Sequence, residues 1–104
     1  IMVGLCCGMP SLLAWPVIRD AVDLFLAIGD APALAAMRAC ARHGVEAGES
    51  GAAALAGLFD LLRNDDLAPA RDLVGLGPSS TVLVINTEGA TDPEHHALVT
   101  RGAS

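Results

Sequence analysis

Three loops of this chain carry the side chains with chemical potential. The first contains Gly4 and Leu5 and runs through Cys6-Cys7-Gly8 to Pro10. The second is Gly48-Glu49-Ser50-Gly51, and the third is Asn86-Thr87-Glu88-Gly89. In the second loop a carboxylate and a hydroxyl sit between glycines, directly before a helical stretch. That pattern serves helix capping. It also suits a binding site, because a helix start presents free N–H groups and glycines permit close approach of a flat ligand. In the third loop, a hydroxyl follows the most strand-prone run of the chain. Thr87 there has the chemistry to hold a ring nitrogen, and the same residues also make an ordinary glycine-containing turn. Metal chemistry finds no support. Cys6, Cys7 and Cys40 show neither CxxC nor zinc-ligand spacing and read as reduced thiols. His95-His96 reads as a solvated pair and Asp65-Asp66 as a polar turn. The chain has no GxSxG, Walker, GxGxxG or HExxH pattern.

Composition narrows the class of chemistry. A chain of 104 residues is one domain at most. With 53% hydrophobic and 17% charged residues it is not intrinsically disordered. A net charge of −6 with no basic cluster argues against a nucleic-acid partner. All six bases are arginine. Arginine stays protonated, so no side chain here supplies the free amine that covalent carbonyl chemistry needs. Residues 1–18 carry no charge, which approaches the length of a membrane span. Gly4, Gly8, Pro10 and Pro16 interrupt the run, and no basic segment leads it. The expectation is no membrane partner and a cytoplasmic location.

The elements that must position these loops follow from patterning. Residues 1–7 read as a short buried strand or loop and 12–22 as a helix with Pro16 as a first-turn or break residue. The apolar run 24–28 reads as a strand covered on both faces. Asp30 is expected as an N-cap, with Pro32 in the first turn of a helix that ends near His43. Gly44 stands where a left-handed residue is wanted, and Leu34, Met37 and Ala41 share one face. A second helix starts at Ser50 and ends in the polar turn 64–66. A short helix and a loop fill 67–80, residues 81–85 are the strongest strand, and Asp92-Pro93 opens a last helix. Alternating strands and helices predict an α/β domain: a mainly parallel sheet flanked by helices, with ligands beyond the strands' carboxyl ends.

The three loops together resemble a known family. Gly4-Leu5-Cys6-Cys7-Gly8-Met9-Pro10 and Trp15-Pro16-Val17-Ile18-Arg19-Asp20 look like the second half of pyridoxal-phosphate enzymes with the tryptophan synthase beta-subunit fold (fold type II). Gly48-Glu49-Ser50-Gly51 with Thr87-Glu88-Gly89-Ala90-Thr91-Asp92-Pro93 is most similar to the diaminopropionate ammonia-lyase branch. Serine racemase and the threonine dehydratases share the tryptophan–proline run but differ at the last segment. Asn86 and Ala90 depart from the branch pattern, where a small hydroxyl residue and an aspartate are common.

The resemblance implies a pyridoxal 5'-phosphate cofactor and α,β-elimination of 2,3-diaminopropionate to pyruvate and ammonia. It places Gly4 and Leu5 beside the cofactor ring, Glu49 near the ring's substituted edge and Thr87 at the pyridine nitrogen. No catalytic residue and no metal ligand falls in this chain. It implies that residues 1–104 are the C-terminal part of the large cofactor-binding domain. The Schiff-base lysine and the phosphate loop would then lie in an N-terminal half that is absent here. Its partners would be a small amino-acid substrate, the missing half and a second copy in a homodimer. Two alternatives remain open on the residues: a threonine/serine dehydratase-like fragment, and a non-catalytic α/β interaction module.

Overall fold

The computed structural model describes residues 1–101, so the last three residues of the expected 1–104 unit lie outside the described residues. Five α-helices follow in order: α1 (Trp15–Ala21), α2 (Asp30–Arg42), α3 (Glu49–Arg63), α4 (Ala68–Leu73) and α5 (Pro93–Thr100). Single turns of 3₁₀-helix form at Val3–Leu5 and Asp65–Leu67.

The centre of the molecule is the α2–α3 pair, with α5 packed on α2. Ala36 and Met37 of α2 meet Ala52 and Ala56 of α3, and Ala47 closes the cluster. Four of these five side chains are a single methyl group, so the two backbones approach closely but bury little apolar area per residue. Ile28, Leu34, Cys40, Leu55 and Val99 pack around the edge. Burial pushes the Cys40 thiol up, which keeps it in its unreactive protonated form. Met37 is the one large side chain that is fully buried among the described residues.

Several expectations hold. Pro16 lies in the first turn of α1, and α2 ends at Arg42, with His43 as its C-cap and Gly44 at φ 70°. Asp92 caps α5, its Oδ1 accepting from the His95 N–H at 3.0 Å. Others are corrected. Asp30 is the first residue of α2, and Gly29 is the N-cap. Residues 1–7 are neither strand nor buried as a unit: Val3 and Leu5 are exposed in a 3₁₀ turn, and only Met2 is buried.

The α/β expectation is overturned: the described residues contain no β-strand and no sheet, parallel or otherwise. The two strand-like runs, 24–28 and 81–85, do lie along α3, with Leu24, Leu26, Ile28 and Ile85 facing one groove beside it. No backbone hydrogen bond joins them to each other or to any other described segment. Strand propensity reports how well a side chain fits a pleated, half-buried surface. The ladder itself needs a neighbouring backbone at about 4.8 Å, and an apolar run carries no information about whether one is there.

The consequence is an unusually open surface. A folded monomer of 10.6 kDa exposes roughly 5,500 Å², whereas this chain exposes 7233 Å². Its radius of gyration is 14.8 Å, against roughly 13 Å for a compact chain of this length. Much of the excess is apolar: Leu12, Leu13 and Leu83 are 88%, 91% and 86% exposed. The 104-residue chain on its own is therefore expected to bind a hydrophobic dye and to unfold without a sharp transition. A symmetric monomeric gel-filtration peak, with cooperative unfolding and no dye signal, would contradict this.

Candidate functional site

The first turn of α3 is where the second and third loops meet. Gly48 is the N-cap residue and carries no side chain to cap with. The cap comes instead from Glu88, 38 residues away: its Oε2 accepts from the Ser50 N–H at 2.9 Å. Its other oxygen, Oε1, accepts from the Thr91 hydroxyl at 2.7 Å. The Glu88 carbonyl accepts from the Gly48 N–H at 2.9 Å. Anionic oxygen at a helix start satisfies orphan N–H groups and complements the positive end of the dipole. The Thr91 hydroxyl bond, with the amides of Ser50 and Gly51 and the Ser50 hydroxyl, holds the Glu88 carboxyl below its ordinary range, against an opposing effect of partial burial. Glu88 is thus ionised at neutral pH.

The rest of the third loop is pinned by short polar bonds. Asn86 Nδ2 donates to the Glu46 carbonyl at 2.8 Å, and its Oδ1 accepts from the Glu88 N–H at 3.2 Å. Glu46 Oε1 accepts from the Ala90 N–H at 3.1 Å. The glycines of the second loop make room for this. A Cβ on Gly48 would fall 2.8 Å from Glu88 Cδ, and one on Gly51 would fall 2.9 Å from the Glu88 N. Real Cβ atoms do not approach so closely, so both positions need hydrogen. The sequence pattern marked these glycines as places of close approach. What approaches them here is the chain's own third loop.

With Asn86, Glu88 and Thr91 spent on holding the loop, Thr87 faces outward along α3. It lines a groove of about 390 Å³ that it shares with Leu5, Ser50 and Ile85. The floor is one stripe of α3, where Ser50, Ala53, Ala54 and Gly57 follow the spacing of a single helix face. Leu24, Leu26 and Ile28 form the wall. Apolar walls with a few polar groups are usual in small-ligand sites, and grooves of about 360 and 410 Å³ elsewhere on the described residues contain none of the expected site residues. A smaller cleft of about 190 Å³ between α2 and α3, lined by Pro32, Phe59 and Arg63, contains none of the expected site residues.

The four sequence-derived site residues are therefore placed unequally. Leu5 and Thr87 line one groove. Gly4 is adjacent to it, since a Cβ there would come within 2.8 Å of Ser50 Oγ. Glu49 does not join them: its Oε1 lies 3.0 Å from His95 Nε2 of α5. The contact is close but not aligned as a hydrogen bond, since His95 Nε2 finds no such partner among the described residues. His95 and His96 are half-buried, which corrects the solvated reading of that pair. Sequence reasoning missed the part played by Ser50, a residue 9% exposed, and the clamp formed by Glu46, Asn86 and Glu88. Two glycines three residues apart, followed by a loop rich in hydrogen-bonding side chains, were the available signal.

The comparisons with known proteins bear on this groove. Residues 1–88 match the family described as Pyridoxal-phosphate dependent enzyme, and the chain belongs to that family. Within it the chain is similar to the diaminopropionate ammonia-lyase of Salmonella typhimurium, at 37% identity over 111 aligned positions, covering all of this chain and 28% of that protein. It is also similar to the diaminopropionate ammonia-lyase of Escherichia coli, at 34% identity over 104 positions, covering 95% of this chain and 26% of the relative. The chain thus spans little more than a quarter of the length of these relatives. No described helix is long and apolar enough to cross a membrane.

The groove's donor set suits the ring portion of the family's cofactor. Small residues on the floor and aliphatic walls accept a flat heteroaromatic face, and the hydroxyls of Ser50 and Thr87 are neutral polar groups at its edge. An amine for covalent attachment is not among the side chains of this sequence.

Proposed function

We propose that the polypeptide containing this chain eliminates the β-amino group of 2,3-diaminopropionate as ammonia, leaving an enamine product that water hydrolyses to pyruvate and a second ammonia. In this reading residues 1–104 are the C-terminal part of the cofactor-binding domain. When bound, pyridoxal phosphate supplies an electron sink that acidifies the α-proton of an amino acid. This chain's part is to hold the ring. Gly4 and Leu5 would lie beside its face, and the Thr87 hydroxyl would donate to the pyridine nitrogen. Glu49 would approach the ring's substituted edge only after leaving His95.

A hydroxyl donor leaves the ring nitrogen unprotonated, whereas a carboxylate would favour the protonated ring. Held by Thr87 in this way, the cofactor would supply a weaker electron sink and leave more charge near the α- and β-carbons. That favours loss of a β-amino group. The observation that carries the reading is the convergence of Leu5, Ser50 and Thr87 on one groove over the small-residue face of α3. The amino groups of the substrate would be read by residues beyond this chain, as would the second protomer of a homodimer.

The test is made at Thr87 in the full-length polypeptide. Thr87→Ala is expected to weaken cofactor binding by about 0.5–1.5 kcal/mol, the worth of one neutral hydrogen bond. Thr87→Asp is expected to slow pyruvate release and raise the share of pyridoxamine phosphate. If Thr87 only shapes a turn, both variants lose stability and keep the wild-type product ratio. Unchanged partitioning in the aspartate variant, with cofactor still bound, removes Thr87 from the site.

A further inference from the structure

We infer that Glu88 is the positioning residue of this site: its carboxylate ties the loop bearing Thr87 to the first turn of α3, and so fixes where the Thr87 hydroxyl stands. This rests on the assignment of Thr87 to the cofactor ring. The geometry is specific to Glu88 in three ways. Both of its carboxylate oxygens are engaged, Oε2 by the Ser50 N–H at 2.9 Å and Oε1 by the Thr91 hydroxyl at 2.7 Å. Its backbone is engaged as well, the carbonyl by the Gly48 N–H at 2.9 Å and the N–H by Asn86 Oδ1 at 3.2 Å. It is covalently adjacent to Thr87, and its anchor Ser50 lines the groove that Thr87 lines. One residue therefore links the floor of the groove, through the first turn of α3, to the one hydroxyl of the third loop that faces the groove.

The charge matters to the link. Four contacts favour the ionised form, which keeps the carboxylate an acceptor on both oxygens. Glu46 and Asn86 hold the same loop at its two ends, through the Ala90 N–H and the Glu46 carbonyl. Neither reaches α3. Without the Glu88 side chain the loop keeps its tether to residue 46 and the bond from the Gly48 N–H to the residue 88 carbonyl, and loses its side-chain bond to the first turn of α3. Glu88 itself faces the amides of Ser50 and Gly51 rather than the groove, so its effect on a ligand passes through Thr87.

A double-mutant cycle on cofactor binding to the full-length polypeptide tests this. Glu88→Ala is expected to raise the cofactor Kd about three- to tenfold, by as much as Thr87→Ala does, since both forfeit the same hydrogen bond. The double variant is expected to bind no worse than either single, because residues acting through one contact are not additive. Glu88→Gln keeps a carbonyl acceptor for Ser50 and is expected to stay within about twofold of wild type. A purely structural Glu88 would give additive losses in the double variant, and that result overturns the inference. So does Glu88→Ala with unchanged affinity. If Thr87→Ala leaves affinity unchanged while Glu88→Ala lowers it, positioning through Thr87 is overturned and the assignment of Thr87 to the ring falls with it. If Thr87→Ala weakens binding but Glu88→Ala does not, the Thr87 assignment stands and only the positioning role fails.

Discussion

Mixing the purified 104-residue chain with pyridoxal phosphate and reducing with borohydride is expected to leave no cofactor on any internal side chain. The aldehyde needs an unprotonated primary amine, and the six basic residues of this sequence are all arginine. Guanidinium stays protonated at any accessible pH and is a poor nucleophile. The effect is all or none, because no neighbour can lower an arginine into the reactive range as burial does for lysine. Under the proposed reading the groove beside α3 would still accept the ring without a covalent bond, so weak and dialysable binding is compatible with the result. In the full-length polypeptide, the same reduction is expected to place the adduct on a peptide outside these residues. Digestion and mass spectrometry distinguish the cases. A stable adduct on a side chain between Met2 and Ser104 would end the claim that the covalent chemistry lies elsewhere. An adduct on the α-amine of Ile1 would leave it standing.

How far the fold was legible depends on what each element needs from its surroundings. Helices close their hydrogen bonds locally, so sequence determines them well. The α2 boundary at His43 and Gly44, and the Asp92 cap of α5, could be read from a few adjacent residues. The cap of α3 could not, since its acceptor Glu88 is 38 positions distant. Local inspection offered Glu49 for that role, and Glu49 turns to His95 instead. Sheets are the opposite case. The runs 24–28 and 81–85 have every local mark of strands, yet pairing is a property of two backbones and neither finds one here. The extended backbone still had a structural meaning: every second side chain, Leu24, Leu26 and Ile28, faces the groove beside α3, while Phe25 is exposed.

The site was legible as three loops and not as a mechanism of assembly. Gly4, Leu5 and Thr87 stand out only through family resemblance, and the fold brings them to one end of one helix. Their neighbours Glu46, Asn86 and Glu88 have no chemistry that marks them in sequence beyond being polar. Their importance lies in distances that only the folded chain sets. The departure at Asn86 from the branch pattern has a local rationale, since its amide spans from the Glu46 carbonyl to the Glu88 N–H. A serine or threonine is too short to bridge both.

Gly51→Ala is expected to disrupt this assembly more than any other single methyl group. An added Cβ would overlap Asn86 Oδ1 and the Glu88 carbonyl oxygen, and would lie 2.9 Å from the Glu88 N. Two of these three atoms are backbone, and the third is fixed by its own bond to the Glu88 N–H at 3.2 Å. The third loop must therefore move as a body, releasing the 2.9 Å bonds from Ser50 and Gly48. Alanine gains about 1 kcal/mol of helix propensity over glycine. Overpacking costs about 1–3 kcal/mol, and each lost hydrogen bond costs about 1 kcal/mol more. The net loss is expected to be about 2 kcal/mol or more, which speeds hydrogen exchange of the 48–51 and 86–91 amides by about 30-fold in the full-length polypeptide. Gly57→Ala, six residues along the same helix, supplies the contrast. Its Cβ would meet Leu26 Cδ1 at 3.6 Å and Ile28 Cγ2 at 3.9 Å, both ordinary contacts with flexible side chains. That variant is expected to be neutral or about 0.5–1 kcal/mol more stable. Equal exchange rates in the two alanine variants would show that the third loop does not rest on α3.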